Sequence, residues 1–144
     1  MSTLLFACKI APNNVDVPLG IEIWLDSKCI LDVDHVNDVV NFSHEFSDSN
    51  GQHTLLWVLK NKLPSHTVLD QSGNIVSDAV LSIDHIMFDD IDCTKIVNNL
   101  ATYSHNHNGS SENTTSKFYG DIGCNGTVEL AFTTPIYLWL LDNM

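Results

Sequence analysis

The clearest indication of the fold is the alternating stretch Val40-Asn41-Phe42-Ser43-His44-Glu45-Phe46. Apolar or aromatic side chains alternate here with small or polar ones at every second residue, which is the period of a β-strand with one buried face. The turn-forming run Asp48-Ser49-Asn50-Gly51 follows directly, and a second alternating stretch begins after it. This part of the chain therefore predicts a strand, a turn and another strand.

The same alternation recurs on both sides of this stretch. In residues 20–26, isoleucine and leucine alternate with Glu22 and Trp24, and Asp26-Ser27-Lys28 is short enough to make a hairpin turn. No period of 3.6 residues persists for three turns of helix. A brief helical turn is predicted near residues 92–99, with Asp92 as its N-cap. Strands are predicted near residues 3–10, 20–26, 28–34, 39–46, 53–61, 78–88, 117–122, 127–133 and 136–141.

Eight or nine short strands separated by turns predict an all-β fold, an antiparallel sandwich or barrel. A chain of 144 residues suits one such domain, here residues 1–144. Residues 103–116 are rich in Ser, Asn and Thr and have little to bury. This segment is predicted to be a mobile surface loop, or an arm that orders against a neighbouring subunit.

The strongest apolar signal lies at residues 136–141, where both faces of the predicted strand are apolar. Such a strand is either central to the sandwich or completed by another subunit. Under the second interpretation Tyr137 and Trp139 are candidate interface residues.

The charge of the chain excludes two classes of partner. The formal net charge is −12, and all six basic residues are lysine. Nucleic acids and anionic membranes both attract basic patches, so neither is an expected partner. An acidic surface instead suits a neighbour that presents lysine or arginine.

Two groups of residues are candidates for ligand binding. Asp84, Asp89, Asp90 and Asp92 supply hard oxygen ligands of the kind calcium prefers, although their spacing is not that of an EF-hand loop. The alternative is that these aspartates are capping residues and solvent-exposed acids. Trp24 lies among polar neighbours and is the candidate platform for a sugar ring, unless it packs against a loop or a second sheet.

Catalysis has little support in the sequence. No G-x-S-x-G elbow, glycine-rich phosphate loop or H-E-x-x-H motif occurs. A glycoside hydrolase would need two carboxylates at a set separation, and no pair is specified. The protein is therefore predicted not to be an enzyme, and no cofactor other than calcium is considered.

The N-terminus and the cysteines indicate where the chain is made. Residues 1–9 lack the basic region and the long apolar run of a signal peptide. The four cysteines are widely spaced and match no zinc motif, so free thiols in a reducing cytoplasm are expected.

The tail FYGDIGCNGTVELAFTTPIYLWLLDN at 118–143 resembles the C-terminal signature of small β-sandwich proteins encoded by tailed phages of marine cyanobacteria. Three further stretches are similar to the same group: GIEIWLD at 20–26, HTLLWVLKNK at 53–62 and IDHIMFDDID at 83–92. The resemblance covers most of the chain from about residue 20 onward.

Those phage proteins also resemble calcium-dependent xylan-binding modules, which are jelly-roll sandwiches. The resemblance implies a jelly roll and a virion location after synthesis in the host cytoplasm. The implied role is that of a head decoration, tail or baseplate component, oligomeric or arrayed with other virion proteins. A glycan-binding role is the alternative it implies, at the level of the fold alone.

Overall fold

The structure is a computed structural model that describes residues 3–106 and 112–144. Of these residues, 55% lie in strands and 13% in helices, so the predicted mostly-β class with antiparallel sheets is confirmed. In chain order the strands are β1 (Thr3–Pro12), β2 (Gly20–Leu25), β3 (Lys28–Val33), β4 (Val40–Ser47), β5 (Gly51–Lys60), β6 (Thr67–Leu69), β7 (Ile75–Asp78), β8 (Leu81–Phe88), β9 (Ile91–Asp92), β10 (Thr102–His105), β11 (Thr114–Lys117), β12 (Asp121–Ile122) and β13 (Gly126–Thr134). The helices are α1 (Thr94–Leu100) and α2 (Ile136–Asn143), and a 3₁₀ turn covers Pro64–His66.

The strands form two main antiparallel sheets. The first has the order β12-β8-β1-β4, with β9 also paired to β8, and the second has the order β11-β10-β13-β5-β2-β3. Strands β6 and β7 form a separate two-stranded hairpin. The hairpin predicted at Asp26-Ser27-Lys28 joins β2 to β3, whereas β4 and β5 belong to different sheets.

The inner faces of the two sheets share one core. Alternate residues of β1, β2, β5 and β13 are buried, as the period of two predicts. Trp57 of the second sheet is fully buried, and its ring centroid lies 6.0 Å from that of Phe6 in the first sheet. Phe6 in turn lies 5.7 Å from Phe88, and Phe88 lies 5.2 Å from Phe132. A continuous aromatic contact therefore crosses between the sheets.

Two hairpins turn on pairs of residues with positive φ. Asp26 and Ser27, with φ of 51° and 70°, connect β2 to β3. Asp89 and Asp90, with φ of 50° and 67°, connect β8 to β9. Two-residue loops with positive φ at both positions match the right-handed twist of the strands, and Asp tolerates that conformation better than most residues.

The structure corrects the predicted strand list. Thirteen strands occur among the described residues, against the eight or nine predicted. Residues 136–141 are not a strand but lie in the helix α2. The strand predicted at 117–122 is divided between β11 and β12, which belong to different sheets, because the chain crosses the sandwich at the fully buried Phe118.

The loop and the N-cap also differ from expectation. Within the predicted loop 103–116, β10 and β11 pair with each other, so both ends of it are strand. Residues 107–111 of that loop lie outside the described residues. Helix α1 confirms the predicted helical turn, but its N-cap is Cys93 and not Asp92. The Asp92 carboxylate accepts a hydrogen bond from the Thr94 backbone N–H at 2.9 Å instead.

Candidate functional site

Helix α2 closes one end of the sandwich. Ile136, Trp139 and Leu140 are its buried residues, at the i, i+3, i+4 spacing of one helix face. The Trp139 ring lies 6.3 Å from that of Phe88 in the first sheet and 6.1 Å from that of Phe132 in the second. The helix is therefore anchored to both sheets through one aromatic side chain.

The start of α2 is held by polar contacts from distant parts of the chain. The Ile136 backbone N–H donates to Asp48 Oδ1 at 2.9 Å, which satisfies one of the unpaired donors at the helix N-terminus. Just before the helix, the Thr134 hydroxyl donates to the Ser49 carbonyl and contacts His53 Nε2 at 3.0 Å. These contacts place the helix relative to the turn between β4 and β5.

The other side of α2 is apolar and exposed. Tyr137, Leu138 and Leu141 are 51%, 61% and 68% exposed, and Met144 beyond the helix is 88% exposed. A groove of about 350 Å³ runs between this side of the helix and the segment that carries β9 and α1. We call it the α2 groove, and its lining residues are Ile91, Asp92, Ile96, Tyr137, Leu140, Leu141 and Met144.

The two predicted interface residues fall on opposite sides of this helix. Tyr137 is half exposed and lines the α2 groove, so the structure leaves it accessible to a partner. Trp139 is only 7% exposed and packs in the core, so it offers a partner far less surface than Tyr137 does. A helix carries neighbours two positions apart to different sides, whereas a strand would have placed both on one face.

One carboxylate lies in the lining of the α2 groove, and another lies on helix α2. Asp92 lines the groove, and Asp142 is exposed on the helix itself. Hydrogen bonds from the Thr94 hydroxyl and backbone N–H lower the pKa of Asp92, which therefore remains ionised at neutral pH. The groove is thus an apolar surface beside negative charge.

The four candidate calcium ligands do not converge. Asp84 lies on β8 beside His85, with 3.1 Å between Asp84 Oδ1 and His85 Nδ1. Asp89 fastens the β8–β9 turn to β1, because its Oδ1 accepts from the Leu5 backbone N–H at 2.8 Å. Asp90 is the second residue of the same turn. Asp92 bonds to the start of α1.

Within residues 3–106 and 112–144 no three His, Cys, Asp or Glu side chains are grouped to hold a metal ion. Asp89 and Asp90 form the β8–β9 turn and Asp92 bonds to the start of α1, whereas Asp84 lies within β8 beside His85. The clustering in sequence arises because one short segment contains a strand end, a tight turn and a helix start.

Trp24 lies on the outward face of the second sheet and is half-buried. Its neighbour across the β2–β5 pairing is Leu56, also half-buried and outward-facing. The indole Nε1–H donates to Glu22 Oε1 at 2.8 Å, and Glu22 Oε2 lies 3.1 Å from Lys60 Nζ. Lys60 also pairs with Asp32 and Asp34, so Trp24 stands beside a network of charged hydrogen-bonding groups.

The polar cluster around Lys62 could not be predicted from the sequence. The Lys62 ammonium is fully buried and donates to Asp78 Oδ1 at 2.6 Å, to the Ala79 carbonyl at 2.5 Å and to the Gly123 carbonyl at 2.8 Å. The Asn125 side chain bonds both the N–H and the carbonyl of Lys62. These partners lie 16 to 63 residues away in sequence, so no local motif reveals them.

The class of protein defined so far is a mostly-β domain of two antiparallel sheets, closed at one end by a helix with an apolar outer side. Comparison with protein-family models, with curated proteins and with solved structures finds no match to this chain. Among the described residues, no helix is both long enough and apolar enough to cross a membrane.

Proposed function

We propose that the protein is a non-enzymatic structural or accessory component of a virion, a head decoration, tail or baseplate protein, and that its sheets form a jelly roll. The observation that carries the proposal is the apolar outer side of α2. Leu138 and Leu141 are more than 60% exposed beside a groove lined by further apolar side chains. Contiguous exposed apolar surface next to polar residues is typical of protein–protein contact sites.

The partner that suits this surface is another particle protein whose apolar anchor is flanked by lysine or arginine. The apolar anchor would fill the α2 groove, and a basic group would face Asp92 in its lining. A second copy of the chain would bring a further acidic surface to this groove and not a basic one. Basic flanks also suit the overall charge of −12.

Washed, purified particles test the location. Mass spectrometry should find the chain at a constant ratio to the major coat protein, since an assembled component is present in fixed number. Detection only in lysate of infected cells, and never in washed particles, would contradict the proposal.

A matched pair of variants tests the surface. Leu141→Glu places a charge in the α2 groove and should abolish retention of the tagged protein on particles that lack it. Val76→Glu is the control, because Val76 is 65% exposed on the separate β6–β7 hairpin. Equal retention of both variants would show that the α2 groove is not the contact.

A second candidate function is glycan binding at Trp24, and the outward position of this side chain favours it. An aromatic ring beside hydrogen-bonding groups is the arrangement that sugars require, and Glu22 and Lys60 supply those groups here. A glycan array, run with calcium and with a chelator, should show retention that Trp24→Ala removes and Tyr119→Ala, at a 77% exposed aromatic elsewhere, preserves. Absence of binding to every glycan in both conditions would rule this function out.

A further inference from the structure

The edges of the two sheets are not equally protected against pairing with another chain. One edge of the first sheet consists of β9 and β12, which are two residues each. In the second sheet, β11 has four residues, and β3 carries Lys28 beside an irregularity in its pairing with β2. Short strands, lysines and bulges are devices that discourage edge-to-edge association.

Strand β4, the other edge of the first sheet, has none of these devices. It is eight residues long and contains no lysine, proline or glycine. Its register with β1 runs without a shift from Val40 to Ser47. Among the described residues no strand pairs with its outer side. A regular edge of this length presents unpaired backbone N–H and C=O groups to an incoming strand.

The side chains of β4, like its backbone, are covered by a neighbouring strand on one side alone in the part of the chain that the structure describes. Val40, Phe42, His44 and Phe46 face the sandwich interior, yet each is only half-buried. On β1, the next strand of the sheet, the inward residues Leu4, Phe6 and Ile10 are fully buried. The difference arises because β4 has a neighbour on one side alone. An added strand would cover the inward side chains as well as the backbone.

We propose that β4 pairs with β4 of a second copy of this chain, antiparallel about a two-fold axis at Ser43. A two-fold axis through one edge makes the pairing antiparallel and self-complementary. For the two sheets to continue as one, inward-facing residues of one copy must lie opposite inward-facing residues of the other. The inward-facing residues of β4 have even numbers, so the two residue numbers of each opposed pair must sum to an even value. Centring at Ser43 satisfies this condition and uses residues 40–46, all within β4.

The resulting side-chain pairs are favourable. Val40 faces Phe46 of the other copy, a β-branched residue against an aromatic one, and Phe42 faces His44. Glu45, the only charged residue on the strand, faces Asn41 and not its own equivalent. The axis residue Ser43 is small and exposed. The strand can therefore meet itself without opposing like charges.

The partner is a second copy and not a basic protein because β4 itself has one carboxylate in eight residues, unlike the α2 groove. The remaining net charge of −12 per chain opposes the dimer at longer range. Salt screens such repulsion over about 8 Å at physiological ionic strength. Dimerisation should accordingly strengthen as salt is added, the reverse of a contact held by opposite charges.

Sedimentation of the full chain over a concentration series, at low and high salt, tests the dimer. We expect a monomer–dimer equilibrium that shifts toward dimer with salt and is lost in Ser43→Lys, which sets two ammonium groups against each other at the axis. Ser77→Lys, at an exposed strand residue of the β6–β7 hairpin, should dimerise as the wild type does. A monomer at every concentration, or loss of the dimer in both variants alike, would overturn the proposal.

Cross-linking tests the register. In a Cys29→Ser background, which removes the exposed native thiol, Ser43→Cys should form an intermolecular disulfide, because directly opposed residues have Cβ atoms close enough to bridge. Asn41→Cys should not, since it faces Glu45 of the other copy. Cross-linking of the Asn41 variant without the Ser43 variant would overturn the assigned axis. The α2 groove takes no part in these contacts, so Leu141→Glu should leave the dimer intact.

Discussion

The two sides of α2 differ sharply although both are apolar. Trp139, which contacts aromatic rings of both sheets, is 7% exposed, and Leu141, two residues later, is 68% exposed. The inner side of the helix stabilises the fold, whereas the outer side has no partner within the described residues. Apolar character alone therefore does not distinguish a core residue from a contact residue.

Two lysines near the end of β5 likewise differ in burial although both are charged. Lys62 is fully buried and bonded to Asp78 and two carbonyls, while the Lys60 side chain is 22% exposed and surrounded by Glu22, Asp32 and Asp34. Those carboxylates raise the pKa of Lys60, with Asp32 the strongest contributor. An ion pair in water contributes little to stability, whereas a buried ammonium that loses its partners is costly.

The largest expected effect comes from the inner side of α2. Trp139→Ala should lower the free energy of unfolding by about 4 kcal/mol, because it removes a buried indole and leaves a cavity between the sheets. Leu141→Ala, the control on the outer side, should change it by less than about 0.5 kcal/mol. Chemical denaturation measures both, and equal losses would remove the distinction between the two sides.

Lys62→Met should lower the free energy of unfolding by about 3 kcal/mol, since it removes the buried ammonium from Asp78 and two carbonyls. The double variant Lys62→Met/Asp78→Asn should recover part of the loss, because the carboxylate, left with the Thr67 hydroxyl as its donor, is replaced by a neutral amide. Denaturant melts of the wild type, the single variants Lys62→Met and Asp78→Asn, and the double variant give the coupling energy. A loss of stability no greater than that of Lys60→Met would show that the buried cluster is not structural.

Asp92 should make the stability of the protein depend on pH. Hydrogen bonds from Thr94 lower the pKa of this carboxyl, so its stabilising effect is complete above the unfolded pKa of about 4 and is lost as pH falls through the folded value. Asp92→Ala should cost about 0.5 kcal/mol at neutral pH, kept small by solvent. The difference from wild type should vanish in acid, and a pH-independent difference would contradict this account.

The smallest expected effect is at Lys60, the partly exposed counterpart of Lys62. Lys60→Met should change the melting temperature less than any of the other variants, because solvent and mobile ions screen its three carboxylate contacts. Melts at low and high salt check this, and the small difference should shrink further at high salt. A loss comparable to that of Lys62→Met would contradict the ranking.

Strands and turns were predictable from the sequence where the alternation was clean. The buried faces of β2, β5 and β13 follow the period of two, and the Asp26–Ser27 turn forms the expected hairpin. Helix α2 was not predictable, because a segment that is apolar at every position shows neither a period of two nor one of 3.6. For the same reason the sequence could not distinguish the two interface candidates of this segment, of which Tyr137 is exposed and Trp139 is buried.

The mostly-β class, the acidic composition and the apolar C-terminal segment can be read from the amino-acid sequence, since each depends on local pattern or composition. The three-dimensional fold was needed to show which apolar residues stay exposed, which aspartates lie in turns, and which strand is left at an edge. These outcomes depend on partners far apart in the chain: Asp48 with Ile136, Lys62 with Asp78 and Gly123. Burial depends on residues that are distant in sequence and adjacent only in the assembled sheets, so it cannot be read from a single segment.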